Sequence, residues 1–71
     1  MTLGRQKLQQ YFKDRPKLRQ EQFAMVIEYS ASYLSQVLSG ERSPPGGRFA
    51  AKVHTITGID SIDWYQEAED E

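Results

Sequence analysis

The sequence contains no cysteine, a single histidine and no long apolar run, and each absence excludes a class of protein. Without thiols there can be no disulfide framework and no thiolate metal site, and His54 alone cannot hold a metal ion. No apolar stretch approaches the ~18 residues of a membrane helix, and no cleavage site follows an apolar run. We therefore expect no cofactor, no metal, no membrane contact and a cytoplasmic location.

Catalytic machinery is also missing from the sequence. Asp60 and Asp63 lie three residues apart, but no nucleophile, base and orienting group accompany them in so short a chain. Helix capping explains these two carboxylates better than general acid and base chemistry does. We therefore expect that the protein is not an enzyme.

Length and composition indicate one small globular domain. Of the 71 residues, 38% are apolar and 27% are charged, which is within the ordinary globular range. A core of this size is worth only a few kcal/mol, so a second subunit would add useful stability. We expect a folded domain over residues 1–66 and a disordered acidic tail over residues 67–71.

Charge is distributed unevenly along the chain, although the net charge is only −1. Residues 1–20 carry six cations against Asp14 alone, a net charge of +5, whereas residues 60–71 carry six carboxylates and no cation. Such asymmetry favours a polyanionic partner for the basic end. Two ordinary solvated surfaces would account for it equally well.

Apolar periodicity and capping residues predict five short helices and no strand. The first runs from Leu3 to Lys13 and is stopped by Pro16, and the second runs from about Gln20 to Ile27. The third begins at Ala31 behind a Ser30 cap and ends at Gly40. The fourth starts at Pro45 and is closed by Gly58, and Asp60 or Ser61 caps a last short helix.

The third predicted helix has an unusual polar face. At 100° per residue its apolar residues occupy one half without exception, and the other half is polar or small: Ala31, Ser32, Ser35, Gln36 and Ser39. This half has no charged side chain, whereas a solvated face usually carries several. Short hydroxyl and amide side chains suit entry into a major groove, where carboxylates would meet phosphates.

The stretch from Leu18 to Ile59 resembles the Cro and lambda-repressor family of phage and bacterial regulators. The resemblance rests on the runs LRQEQFA, residues 18–24, and SYLSQVLSG, residues 32–40. It implies an all-α fold, a compact five-helix domain with a helix-turn-helix at helices 2 and 3. It also implies that Gln20 binds the DNA backbone and that Ala24 lets the two helices cross closely.

Three features depart from the family pattern, and one of them is the pair Gly46-Gly47, which weakens the first turn of the fourth helix. Glu28 stands where the turn usually has glycine, so either Glu28 takes a positive φ or the turn differs. Arg19 replaces the usual Ser or Thr cap of the second helix, which loses a cap but places a cation where phosphate is expected.

By this resemblance, base contacts fall at the front of the third helix. They are assigned to Ala31, Ser32, Ser35 and Gln36, and the Gln36 amide is suited to adenine N6 and N7. Backbone contacts are assigned to Lys17, Arg19, Gln20, Tyr33, Ser39, Arg42 and Arg48. We expect affinity to fall with salt, because cations that bind phosphate release counterions.

The apolar end of the chain has two interpretations. Ile59, Ile62, Trp64 and Tyr65 could close the core or form a dimer surface, and both could hold. The functional hypothesis is a nucleoid-associated transcriptional repressor that binds a double-stranded operator as a homodimer, with no small-molecule ligand. The alternative is an antitoxin-type module that binds a protein partner and binds DNA only secondarily.

Overall fold

Four α-helices and one 3-10 helix make up the fold in the computed structural model, which describes residues 1–68. The α-helices are α1 (Leu3–Lys13), α2 (Gln20–Val26), α3 (Ala31–Ser39) and α4 (Gly47–Thr57), and the 3-10 helix is Ser61–Tyr65. The predicted all-α class is confirmed. The expected fifth α-helix is instead the 3-10 helix. The radius of gyration, 11.1 Å, is that of a compact chain of this length.

Several helix ends lie where local sequence signals predicted them. The Ser30 hydroxyl accepts a hydrogen bond from the Tyr33 N–H at 3.0 Å and caps α3. Gly40 and Gly58 follow α3 and α4 with φ of 88° and 78°, the left-handed conformation that glycine adopts without strain. These ends are set by residues adjacent in sequence.

The start of α4 differs from the prediction. Pro45 lies before the helix, Gly46 is the N-cap in extended conformation, and the first helical residue is Gly47. The Gly46 N–H donates to the Tyr33 hydroxyl at 3.0 Å, which ties the end of the loop to α3. The loop therefore changes to helix at the hydrogen bond between Gly46 and Tyr33, and not at Pro45.

The turn between α2 and α3 is tight. Glu28 has φ 61°, so the positive φ considered from the sequence is present on a non-glycine residue. The Tyr29 N–H donates to the Ala24 carbonyl at 2.9 Å across this turn. α2 and α3 are thereby held in direct contact.

One core lies between the helices, and Trp64 of the 3-10 helix closes it. Its buried residues are Leu8, Phe23, Ala24, Ile27, Leu34, Val37, Phe49, Ala50, Val53, Ile59 and Trp64. The indole of Trp64 packs over the backbone of Gly4 in α1, where a Cβ would approach to 2.5 Å. The 3-10 helix contacts both α1 and α4 and thereby completes the core.

The end of the described chain pairs with its beginning. The Leu3 N–H donates to the Gln66 carbonyl at 2.7 Å, and the Ala68 N–H donates to the Met1 carbonyl at 2.9 Å. Glu67 forms an isolated antiparallel bridge with Thr2. The tail expected from residue 67 is therefore paired as far as residue 68. The remainder of that tail, residues 69–71, lies outside the described residues.

No helix over residues 1–68 is both long and apolar enough to span a membrane.

Candidate nucleic-acid interface

The polar face of α3 is open to solvent. Four of its residues are exposed, namely Ala31, Ser32, Ser35 and Ser39, and Gln36 is half-buried at the edge. On the opposite side, Leu34 and Val37 are buried in the core. The structure thus brings the four predicted base-contacting residues together on one exposed helix face that has no charged side chain.

Gln36 is joined to the loop that follows α3. Its carboxamide oxygen accepts two hydrogen bonds from Arg42, one from Nε at 3.2 Å and one from Nη2 at 3.0 Å. The Arg42 backbone N–H also donates to the Gln36 carbonyl at 3.2 Å. Arg42 is therefore held along the flank of α3 and not extended away from it.

The Tyr33 ring contacts Arg42 and helps to hold it beside α3. The Arg42 guanidinium carbon lies 4.6 Å from the centre of the Tyr33 ring, within the range of a cation–π contact. The ring itself packs against Tyr29 and Phe49, with centroid distances of 4.8 Å and 5.1 Å. Because the Tyr33 hydroxyl accepts the Gly46 N–H, its O–H proton is left to donate elsewhere.

The predicted backbone contacts have different surroundings. Lys17, Arg19 and Gln20 are exposed before and at the start of α2, and Arg48 is exposed in the first turn of α4. The side-chain oxygen of Gln22 accepts the Arg19 N–H at 3.1 Å, which partly replaces the missing cap at the start of α2. These side chains have the exposure that phosphate contacts need.

Ser39 has a local structural role. Its hydroxyl donates to the Gln36 carbonyl at 3.1 Å and accepts from the Glu41 N–H at 3.4 Å. These bonds satisfy backbone groups where α3 ends. Ser39 therefore supports the loop that carries Arg42, in addition to being exposed.

Three of the six cations in residues 1–20 are engaged within the protein. Arg5 Nε donates to the Leu38 carbonyl at 2.7 Å, and Lys7 Nζ contacts the buried Asp63 carboxylate at 2.7 Å. The Arg15 guanidinium lies over the Tyr11 ring. The i, i+4 spacing could have indicated the Arg15 contact, whereas the other two join residues far apart in sequence. Fewer cationic side chains of the basic end are thus free to reach a phosphate than its composition suggested.

The candidate dimer surface is divided by the fold. Ile59 and Trp64 are 5% and 2% exposed, so they belong to the core and are not available as a surface. Ile62 and Tyr65 are 61% and 68% exposed on the same 3-10 helix. The core interpretation therefore applies to Ile59 and Trp64, and Ile62 and Tyr65 are the two residues of this set that stay exposed.

A second exposed apolar cluster was not predicted from the sequence. Met25 and Val26 at the end of α2 are exposed, as is Ile56 in α4. Val26 and Ile56 line a shallow groove of about 300 Å³, together with Glu28 and Lys52. The signal was available in the sequence, because Met25 and Val26 interrupt the polar face of a two-turn helix.

Comparisons of this chain with protein-family models, curated proteins and solved structures found no match. Over residues 1–68, no cluster of carboxylate and imidazole side chains converges as a metal site would require. The functional argument therefore rests on the geometry of α3 and its surroundings.

Proposed function

We propose that this chain is a sequence-specific, double-stranded DNA-binding regulator of the Cro and lambda-repressor type. In this proposal α2 and α3 are a helix-turn-helix, and α3 enters the major groove of an operator. The observation that carries the proposal is the exposed, uncharged polar face of α3, set directly opposite buried Leu34 and Val37. Small and amide side chains on such a face fit a groove about 12 Å wide and reach base edges.

Phosphate contacts would supply most of the affinity. Exposed Arg19 and Gln20 lie at the start of α2, where their side chains can donate to a phosphate. Arg48 adds a cation at the start of α4. Contacts to phosphate fix the register of the protein on the duplex, and base contacts from α3 supply selectivity. Repression would follow from occupancy of the operator.

Homodimerisation on DNA is part of the same proposal. In a 3-10 helix, side chains three residues apart lie in line, so exposed Ile62 and Tyr65 form one short apolar ridge. In this proposal two such ridges pair about a two-fold axis, and the resulting dimer binds the two half-sites of an operator. Ile62→Ser with Tyr65→Ser should then keep the fold and reduce cooperative binding to a two-half-site duplex in a gel-shift titration.

The test of DNA reading is a selection of bound sites from random duplex DNA. Wild type should enrich a short motif, and Gln36→Ala should weaken the preference at one position. Gln10→Ala is the matched control, because Gln10 is an exposed glutamine in α1 whose side chain, over residues 1–68, hydrogen-bonds only to Asp14. The proposal fails if wild type enriches no motif and its weak binding is unchanged by Gln36→Ala.

The exposed Met25, Val26 and Ile56 cluster favours one alternative, an antitoxin-type module that binds a protein partner. Under the DNA-binding proposal, Met25→Ser with Val26→Ser should leave duplex affinity unchanged. If the chain shows no duplex binding and the same double variant abolishes a stable protein complex, the alternative replaces the regulator.

A further inference from the structure

The paired side chains of Gln36 and Arg42 carry an inference about which base the protein reads. It rests on the proposed function and deepens it. A glutamine alone on a recognition helix offers one acceptor and one donor side by side, which matches adenine N6 and N7. In this structure the Gln36 oxygen is already engaged, which changes what the side chain can offer.

The paired side chains of Gln36 and Arg42 have hydrogen-bond donors left over but no free acceptor. The Gln36 oxygen has two lone pairs, and Arg42 Nε and Nη2 donate to that oxygen at 3.2 and 3.0 Å. Gln36 is left with its two amide N–H donors. A guanidinium has five N–H donors and no acceptor, so Arg42 keeps three donors. The combined group therefore presents donors only.

The pair is held in place by more than these two bonds. The Arg42 guanidinium lies against the Tyr33 ring, and the backbone N–H of Arg42 donates to the Gln36 carbonyl. Tyr33 is in turn fixed by its contact with Phe49 and by the Gly46 N–H. A donor group ordered before binding loses less side-chain entropy when it meets a base.

A face of donors distinguishes the two purines. In the major groove guanine presents two adjacent acceptors, N7 and O6, whereas adenine presents the N7 acceptor beside the N6 amino donor. We propose that Gln36 and Arg42 act together as one reading unit that selects guanine and rejects adenine. The Arg42 guanidinium is then a base-selective group in addition to, or in place of, the phosphate ligand expected from its position in the loop.

The decisive variant is Arg42→Ala. Removal of the guanidinium frees the Gln36 oxygen, so the preference at the affected position should change from guanine toward adenine. Gln36→Ala should reduce discrimination at the same position. Arg48→Ala is the matched control, because it removes an exposed cation from α4 and should weaken binding to all duplexes without changing the motif.

Affinities on duplexes that differ at this single base pair give the magnitude. Wild type should bind the guanine duplex roughly 5- to 150-fold more tightly than the adenine duplex, the range of a good two-point base contact. Arg42→Ala should lose this ratio or invert it. Urea unfolding should show that each variant still folds cooperatively, since Arg42 is exposed and Gln36 is half-buried at the edge of α3 and not part of the core.

Modified bases test which groove and which atoms are read. Replacement of the guanine by 7-deazaguanine removes the N7 acceptor and should weaken wild-type binding. Inosine keeps N7 and O6 and lacks only the minor-groove amino group, so it should bind as guanine does.

The outcomes separate the reading unit from the proposed function. If wild type enriches a motif but Arg42→Ala weakens all sequences equally and leaves the selected base unchanged, Arg42 is only a phosphate ligand. The joint reading is then wrong, and the DNA-binding proposal stands. The joint reading is also wrong if wild type selects adenine at the position that Gln36→Ala affects. If wild type enriches no motif, the proposed function fails and the reading unit fails with it.

Discussion

At the scale of single residues, Gly4 shows why the first helix needs a glycine at its second position. A Cβ built there would lie 2.5 Å from Cδ2 and 2.7 Å from Cε3 of the Trp64 indole. Trp64 is 2% exposed and packs edge-on against Phe49, with ring centroids 6.1 Å apart, so the ring cannot move away cheaply. Trp64 can therefore pack at this position only because residue 4 has no side chain.

We predict that Gly4→Ala destabilises the protein by about 1–3 kcal/mol, the usual cost of overpacking a filled core. Gly47→Ala is the matched control: Gly47 is also a helical glycine, but its added Cβ would meet nothing within 4 Å. That variant should gain about 0.4–1 kcal/mol, because alanine lowers the entropy of the unfolded chain. Urea unfolding measures both. Equal effects of the two substitutions would contradict this explanation.

A second residue-scale prediction concerns Lys7. Its Nζ lies 2.7 Å from Oδ2 of Asp63, whose side chain is only 8% exposed. Lys7→Met keeps the aliphatic stem but leaves a buried carboxylate without its partner, so we expect a loss of about 1–2 kcal/mol. The control is Lys52→Met, whose ion pair with exposed Glu28 is 3.7 Å long and should contribute little. Similar losses for both variants in urea unfolding would be evidence against the role of burial.

At the scale of elements, α1 supports the end of α3. The Leu38 carbonyl, near the end of α3, accepts from Arg5 Nε at 2.7 Å and from Gln9 Nε2 at 2.9 Å. Arg5 also lies against Gly40, where an added Cβ would approach Nη1 to 2.7 Å. Two side chains from a different helix thus satisfy a carbonyl of the last turn, in addition to the local cap at Gly40. They fix the end of α3 from which the Arg42 loop departs.

We predict that Arg5→Met with Gln9→Met lowers stability by about 2 kcal/mol, since each bond to a backbone carbonyl contributes about 1 kcal/mol. The amides of the last turn of α3 should exchange faster with solvent, measured by hydrogen exchange, while those of α4 keep their relative protection. Gln10→Ala is the control on the exposed side of α1. Unchanged exchange at the end of α3 would show that the cap has no effect.

The same elements show what a sequence can predict here. Ser30, Gly40 and Gly58 fixed helix ends correctly because a cap or a left-handed residue acts within one turn of the chain. The start of α4 was misplaced because the Tyr33 hydroxyl meets the Gly46 N–H only after the chain has folded. Helical periodicity likewise could not predict the hydrogen bonds between Gln36 and Arg42. Periodicity places a residue on a face but does not say which of its atoms are already bonded.

At the scale of the whole molecule, charge is distributed differently from what composition implies. Arg5, Lys7 and Arg15 are held by a carbonyl, a carboxylate and a ring within the fold. Lys17 and Arg19 are exposed and have no ion pair over residues 1–68. Affinity for a polyanion should therefore depend on a few identifiable side chains and not on the summed charge of the basic end.

This separation can be measured from the salt dependence of binding. Each phosphate neutralised contributes about −0.9 to the slope of log affinity against log salt on duplex DNA. Arg19→Ala should therefore weaken binding on every duplex and flatten the slope by roughly one unit. Lys7→Met removes the same charge from the same third of the chain, but its amino group is held by Asp63, so its slope should equal that of wild type. Equal flattening by both variants would mean that overall charge, and not position beside α2, sets the affinity.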